Sequence, residues 1–461
     1  MKQISKIQTL IFIVSVFSLG LGQVVHAQSQ IEFSKVLNKY KLNNDHLGIV
    51  IEHNDKVVFE NNSKKLFIPA SISKLVTTFS ILKNMNLTQK YKTELYYDDK
   101  NLYLKGWGDP SFVSENMWYL VNEFTRQNIR LIAGDIVVDD SYFDKIRYDD
   151  SRESKRVDRS YDAPVGAMSF NWNSLNIFVK PSQEGLPAKI VLDPANEYFD
   201  LINKTTTRSK LSRELVIDVD QNKRKIIVSG DVLKNAEEKA YYKNVADPDL
   251  WSGENLRAFL LQRGIKVNGV VRSGFLPKGA IKVASYEGKV ISAIMSDMNK
   301  FSNNFVAEML TKNLAAQTGN IPASLKAGVL KINEDLRLLG LTKADIHFEN
   351  PSGFTRDNRM SAYAMTRLLK EMQNDFRLFP TVLESLPSAG VDGTLKKRLK
   401  NEVTQGFIRA KTGYLDGVVS LAGYAGLKNG DIYRFTFLYN GPQDESKVRE
   451  VFDQLLIALL K

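Results

Sequence analysis

The chain of 461 residues contains no cysteine, which excludes disulfides, thiolate metal sites and a cysteine nucleophile. Histidine is nearly absent as well, with His26, His46, His53 and His347 the only examples. None belongs to an HExxH pattern or stands near a GxSxG elbow, so zinc-hydrolase and histidine-based serine-hydrolase motifs are both missing. Chemistry must therefore come from hydroxyls, amines, amides and carboxylates, and the residues imply no metal and no organic cofactor. There is no internal repeat and no low-complexity tract. Beyond the N-terminus nothing approaches the run of about 18 apolar residues that a transmembrane helix needs.

What is present is the balance of a folded protein, with 43% hydrophobic and 25% charged residues, long enough for about three domains. At the N-terminus, Lys2 and Lys6 precede an apolar run from Leu10 to Leu21 and small residues at Val25 and Ala27. That order is the pattern of a secretory signal peptide over residues 1–27, so export to an exocytoplasmic, periplasmic location is expected. The net charge of +11 favours anionic partners. No finger, basic helix or aromatic–basic motif accompanies it, so no nucleic acid is expected, and anionic cell-wall polymer fits the compartment better.

Leu47–Glu52 and Lys56–Glu60 are apolar-rich runs separated by three polar residues, which predicts a hairpin. After Pro69, a helix is expected with Ser71 at its cap and Leu75, Phe79 and Leu82 on one buried stripe. Near the other end, Phe407–Ala410, Val419–Tyr424 and Tyr433–Tyr439 read as strands. Val448, Val451, Phe452, Leu455, Leu456 and Leu459 then give a helical stripe over Ser446–Leu460. Packing on a sheet is the first reading of that stripe, and peripheral membrane contact the alternative. The middle, from about Thr93 to about Ser285, carries short β-like runs such as Ile136–Val138, Lys189–Leu192, Leu215–Val219 and Lys225–Val228.

Three short patterns stand in order: Ser71-Ile72-Ser73-Lys74, Ser302-Asn303-Asn304 and Lys411-Thr412-Gly413. A serine hydroxyl is a poor nucleophile at neutral pH and needs a base within hydrogen-bond reach. At i and i+3 of a helix, Ser71 and Lys74 share a face. Burial and a second cation, Lys411, both favour the neutral amine that a base must be.

Taken together, the three patterns resemble the SxxK, SxN and KTG set of penicillin-recognising serine acyltransferases. The interval between the first two far exceeds what a compact β-lactamase needs. It resembles instead the class C low-molecular-mass penicillin-binding proteins, the D-alanyl-D-alanine carboxypeptidases and endopeptidases of the penicillin-binding protein 4 type. Further matching segments are Gly106-Trp-Gly-Asp-Pro-Ser, Gly134-Asp-Ile-Val-Val-Asp-Asp-Ser-Tyr-Phe, Tyr161-Asp-Ala-Pro-Val-Gly-Ala-Met-Ser-Phe-Asn, Leu386-Pro-Ser-Ala-Gly-Val-Asp-Gly-Thr-Leu and Ser420-Leu-Ala-Gly-Tyr.

The resemblance implies an α/β (α+β) penicillin-binding/β-lactamase-like transpeptidase domain, an antiparallel sheet flanked by helices, with nested β-rich insertions. Domain I would comprise residues 28–92 and 286–461, domain II residues 93–166 and 243–285, and domain III residues 167–242. It implies Ser71 as nucleophile, Lys74 as base, Ser302 as proton relay, and Asn304 as a donor to the substrate carbonyl and a brace for Lys74. The N–H groups of Ser71 and Tyr414 would hold the oxyanion, Gly413 would admit the peptide, and Lys411 and Thr412 would hold its terminal carboxylate. Asp158 is the candidate acid for a free amine on the stem peptide.

Implied partners are peptidoglycan stem peptides, with β-lactams as covalent inhibitors; the oligomeric state is left open. Two departures stand out: Tyr414 occupies a position where the family usually has Ser or Thr, and Asn350-Pro-Ser-Gly-Phe-Thr replaces the frequent DGSGLS. Alternatives are a β-lactamase, for which no ExxLN pattern is present, and a catalytically weak wall-binding sensor, motivated by Tyr414.

Overall fold

The computed structural model describes residues 32–151 and 159–461. The expected signal peptide and Asp158 lie outside the described residues. The chain divides into two compact units, one built from its two ends with residues 299–302, the other from residues 80–298 and 303–333.

In the first unit, five antiparallel strands run in the order Ile408–Leu415, Val418–Gly426, Ile432–Asn440, Leu47–His53, Lys56–Asn61. The expected hairpin forms because Asn54 and Asp55 take positive φ, 47° and 62°, the twist a two-residue connection requires. On the two middle strands Val419, Leu421, Phe435 and Phe437 are buried on one face with Val448, Val451, Phe452, Leu455 and Leu456 of the helix Glu445–Leu460. The apolar stripe is thus core, each large side chain contributing about 1.5–3 kcal/mol of burial, and the sheet-packing reading holds. The opposite face meets the helix Ala362–Asn374, where Thr366 and Thr436 hydroxyls lie 2.8 Å apart and Tyr424 donates to the Leu369 carbonyl at 2.8 Å.

The register assigns side chains to these faces. Tyr414 pairs with Val419 and Thr412 with Leu421, so both point toward the C-terminal helix. Gly413 pairs with Ser420 and faces the other way, as alternation along a strand demands.

The second unit holds a mixed five-stranded sheet, in the order Val271–Ser273, Ile136–Asp139, Leu102–Gly106, Lys90–Tyr97, Ile281–Val290, and two three-stranded sheets drawn from residues 174–244. Its core gathers around Trp251, Phe124 and Phe170. The helix Asn304–Gln317 belongs mostly to its interior and is capped by Asn303, whose side chain accepts from the Val306 N–H at 3.1 Å.

Candidate active site

Ser71 sits in a single 3-10 turn, Ala70–Ile72, that leads into the α-helix Ser73–Asn84. The expectation that Ser71 caps the helix is corrected: the turn opens at Pro69 without a side-chain cap, which leaves the Ser71 hydroxyl uncommitted to the backbone of its own helix. Instead Lys74 Nζ donates to Ser71 Oγ at 3.1 Å, and Ser71 Oγ lies 3.4 Å from the Ser352 carbonyl. The i, i+3 spacing therefore does what the sequence suggests. Lys74 itself is fully buried, and its Nζ also donates to the Ser352 carbonyl at 2.5 Å.

That carbonyl is held by the loop Asn350–Thr355, whose sequence marked a family departure without showing a role. Asn350 Oδ1 accepts from the N–H groups of Ser352 and Gly353, each at 2.9 Å, and from the Ser352 hydroxyl at 2.6 Å. Asn358 locks the loop to the helix, donating to the Asn350 carbonyl at 2.8 Å and to Ser73 Oγ at 3.0 Å. Gly353 has φ +73°, and a Cβ there would lie 2.0 Å from the Ala70 carbonyl oxygen. Only glycine permits this approach. The side-chain oxygen of Asn350 thus organises the loop in the sequence that stands where the family often has DGSGLS.

Gly413 makes the second close contact. A Cβ on it would stand 3.0 Å from the Ser71 nitrogen and 2.1 Å from Ser420 Oγ, so the edge strand lies directly against the nucleophile turn. Ser420 fastens the two by donating to the Pro69 carbonyl at 2.6 Å. Lys411, on the same face as Gly413, is completely buried and donates to Ser302 Oγ and the Thr412 carbonyl, both at 2.8 Å. Burial pulls its pKa from 10.5 down to about 7, because an ammonium loses its hydration there. Ser302 reaches Lys411 from a left-handed backbone, φ 55°.

The outer edge of the Ile408–Leu415 strand is occupied only at its start. Ala389 N–H donates to the Ile408 carbonyl and Ala410 N–H to that of Pro387, each at 3.0 Å. By alternation, the Thr412 and Tyr414 N–H groups point the same way, and among the described residues neither has a backbone partner. Thr412 Oγ1 donates to Thr394 Oγ1 at 2.8 Å. An open edge of this kind accepts an extended peptide as an added strand.

The structure therefore brings Ser71, Lys74 and Gly413 together, and Lys411 with Ser302 and Thr412. Asn304 starts a helix of the second unit, where its Nδ2 donates to the Tyr161 carbonyl at 3.1 Å. The histidines have other occupations: His46 Nδ1 contacts the Asn440 carbonyl at 2.6 Å, His53 stacks on Tyr433, and His347 pairs with Glu349 at 2.8 Å. Sequence reasoning missed Ser352, since a backbone carbonyl leaves no signature in residue types.

An antiparallel sheet with a Ser–Lys pair beside its open edge defines the penicillin-binding, β-lactamase-like class of serine enzymes. Residues 29–459 match the model of the D-Ala-D-Ala carboxypeptidase 3 (S13) family, and the chain belongs to that family, with the serine-type peptidases of the penicillin-binding protein 4 type. It is 28% identical over 407 residues to a D-alanyl-D-alanine carboxypeptidase from Actinomadura sp., covering 83% of this chain and 75% of that one. It is 24% identical over 404 residues to the D-alanyl-D-alanine carboxypeptidase DacB of Haemophilus influenzae, covering 84% and 83%. The crystal structure of penicillin binding protein 4 (dacB) from Haemophilus influenzae has the same fold, with a TM-score of 0.80 at 22% identity over 93% of this chain and 99% of that chain.

Proposed function

We propose that this protein is an exocytoplasmic DD-peptidase that cleaves D-Ala-D-Ala ends of peptidoglycan stems, D-Ala to meso-diaminopimelate cross-links, or both, through an acyl-Ser71 intermediate. The observation that carries the reading is the fully buried Lys74 amine 3.1 Å from Ser71 Oγ. In its neutral form Lys74 accepts the Ser71 proton as Oγ attacks the carbonyl carbon of the scissile bond. The oxyanion is met by the N–H groups of Ser71 and Tyr414, fixed donors at a turn and at an open strand edge. Collapse breaks the C–N bond, and the leaving amine takes its proton from Lys74 by way of Ser302. Water then adds to the ester and releases Ser71.

Lys411, whose pKa burial lowers to about 7, is held charged when an anionic peptide end arrives, as an opposite charge raises its pKa. With Thr412 it holds that carboxylate, while Asn304 donates to the peptide carbonyl and braces Lys74, and Asp158 meets a free amine on the stem. Penicillins enter as acylating inhibitors by the same route. Support for this chemistry comes from family membership and from the DacB structure of Haemophilus influenzae complexed with a β-lactam, 22% identical, which shares the fold. The nested division into domain I (28–92, 286–461), domain II (93–166, 243–285) and domain III (167–242) is part of the reading. The separate three-stranded sheets of residues 174–244 support it. Export by a signal peptide over residues 1–27 completes it.

The test is intact-mass spectrometry with peptide mapping after brief exposure to a penicillin. One penicilloyl group on Ser71, absent from Ser71→Ala, is expected, together with loss of D-alanine release from a muropeptide in the variant. Undiminished peptidase activity in Ser71→Ala would sink the mechanism.

A further inference from the structure

Tyr414 follows the Lys-Thr-Gly segment on the open edge, and the residue is 55% exposed. The register turns it away from the face on which Gly413 meets Ser71, so the ring does not obstruct the nucleophile. It lies instead beside the C-terminal helix, where the Arg449 guanidinium is 5.5 Å from the ring centre, within cation–π range. Arg449 Nε donates to the Glu445 carbonyl at 3.2 Å. Among the described residues no carboxylate forms an ion pair with it. Arg398 and Arg434 of the same unit, by contrast, hold Asp453 at 2.6 Å and Glu52 at 3.0 Å.

The carboxylates that feel the charge of Arg449 are engaged elsewhere, Asp444 by the Ser446 and Lys447 N–H groups and Asp453 by Arg398, so this exposed guanidinium, steadied on a ring that projects beside Thr412 from an edge open to substrate, has room for a further anion. The chemistry it suits is a planar anion, which a guanidinium meets with two parallel hydrogen bonds. Thr412 can offer a short hydroxyl to such a group, whereas Tyr414 carries its phenol a ring's length from the strand. A cation above the ring supplies what a small hydroxyl at position 414 would otherwise give.

We propose that Arg449, carried on the Tyr414 ring, binds the carboxylate on the leaving-group side of the scissile bond, so that this pair sets the preference for peptides ending in a free acid over those ending in an amide. The inference rests on the reading that substrate acylates Ser71 along this edge. It makes Arg449 a specificity residue outside the three motifs.

The experiment compares kcat/KM for an acyl-D-alanyl-D-alanine and for its terminal amide in the wild type, Arg449→Met, Arg449→Lys and Tyr414→Leu. In Arg449→Met the acid should lose about five- to tenfold, the worth of one partly solvated charge-assisted contact, and the amide far less. Arg449→Lys should recover part of the difference, and Tyr414→Leu should show a smaller acid-selective loss. Because Arg449 is exposed, an unchanged melting temperature separates selectivity from folding. Equal losses on acid and amide, or none on either, overturn the inference while a penicilloyl group on wild-type Ser71 keeps the peptidase reading intact. Absence of that group in the wild type overturns the peptidase reading itself.

Discussion

In the second unit, lysines are taken out of water against carboxylates: Lys105 Nζ lies 2.8 Å from Asp139, and Lys312 Nζ 2.6 Å from Asp144. In the unit that holds Ser71, Lys411 is buried as deeply, and among the described residues its amine meets only a hydroxyl and a carbonyl. Desolvating an ammonium costs several kcal/mol. Asp144 offsets part of that cost at Lys312, whose pKa burial lowers and the carboxylate raises again. Lys411 has no such counter-charge among the described residues and falls to about 7. A paired buried lysine ties segments together with its charge fixed, while one among neutral oxygens is left able to change its charge near neutral pH, the property a substrate site requires. The Ser71 unit carries a destabilised amine where the other unit carries a stabilised one.

The sharpest way to test that division is to remove the base. Lys74→Met should lower the rate of Ser71 acylation by about 10²–10⁴-fold, the usual worth of a general base, with the fold retained by circular dichroism. Stopped-flow or mass-resolved acylation by a penicillin reads the effect, and a near-normal rate would break the assignment of Lys74.

On the structural side, Lys312→Met strands Asp144 and should destabilise the protein by about 2–4 kcal/mol. Replacing both, as Lys312→Met with Asp144→Leu, should restore most of it in chemical denaturation. A neutral single variant would mean that the ion pair does not hold the unit together.

Lys411→Met should do the opposite to stability, raising it by about 1–2 kcal/mol at pH 7 while depressing turnover of anionic peptides. The sign follows from linkage. Since its folded pKa of about 7 lies below 10.5, the unfolded chain binds more protons between those values. The penalty from Lys411 is therefore full below about pH 7 and relieved as pH rises toward 10.5. Wild type should gain stability on the variant across that window, and parallel curves would remove Lys411 as the cause.

Much of this was legible in the residues. The hairpin at Asn54 and Asp55, the buried stripe of the C-terminal helix, and the short strands Ile136–Asp139, Lys189–Asp193 and Val216–Asp220 all follow from local pattern. Spacing alone also placed Lys74 within reach of Ser71. Less legible was the state of Ser71 as part of a 3-10 turn rather than a cap. Which conformation wins there depends on the loop Asn350–Thr355, far away in sequence, packing a glycine onto Ala70. The Ser352 carbonyl and the Arg449–Tyr414 contact were illegible for a related reason: both segments stood out as departures, but what each touches depends on residues far away in sequence.

The sequence by itself determined the periodicities, the absence of thiol chemistry and the order of three polar motifs, because those depend on residue identity and on spacings within one helix or strand. Tertiary structure alone decided that Gly413 lies against the Ser71 nitrogen, that Lys411 loses its water among neutral oxygens, and that Tyr414 turns toward Arg449. Each of these depends on which distant segments exclude water together and on which face of a strand a register leaves open, and neither is encoded in any local stretch of the chain.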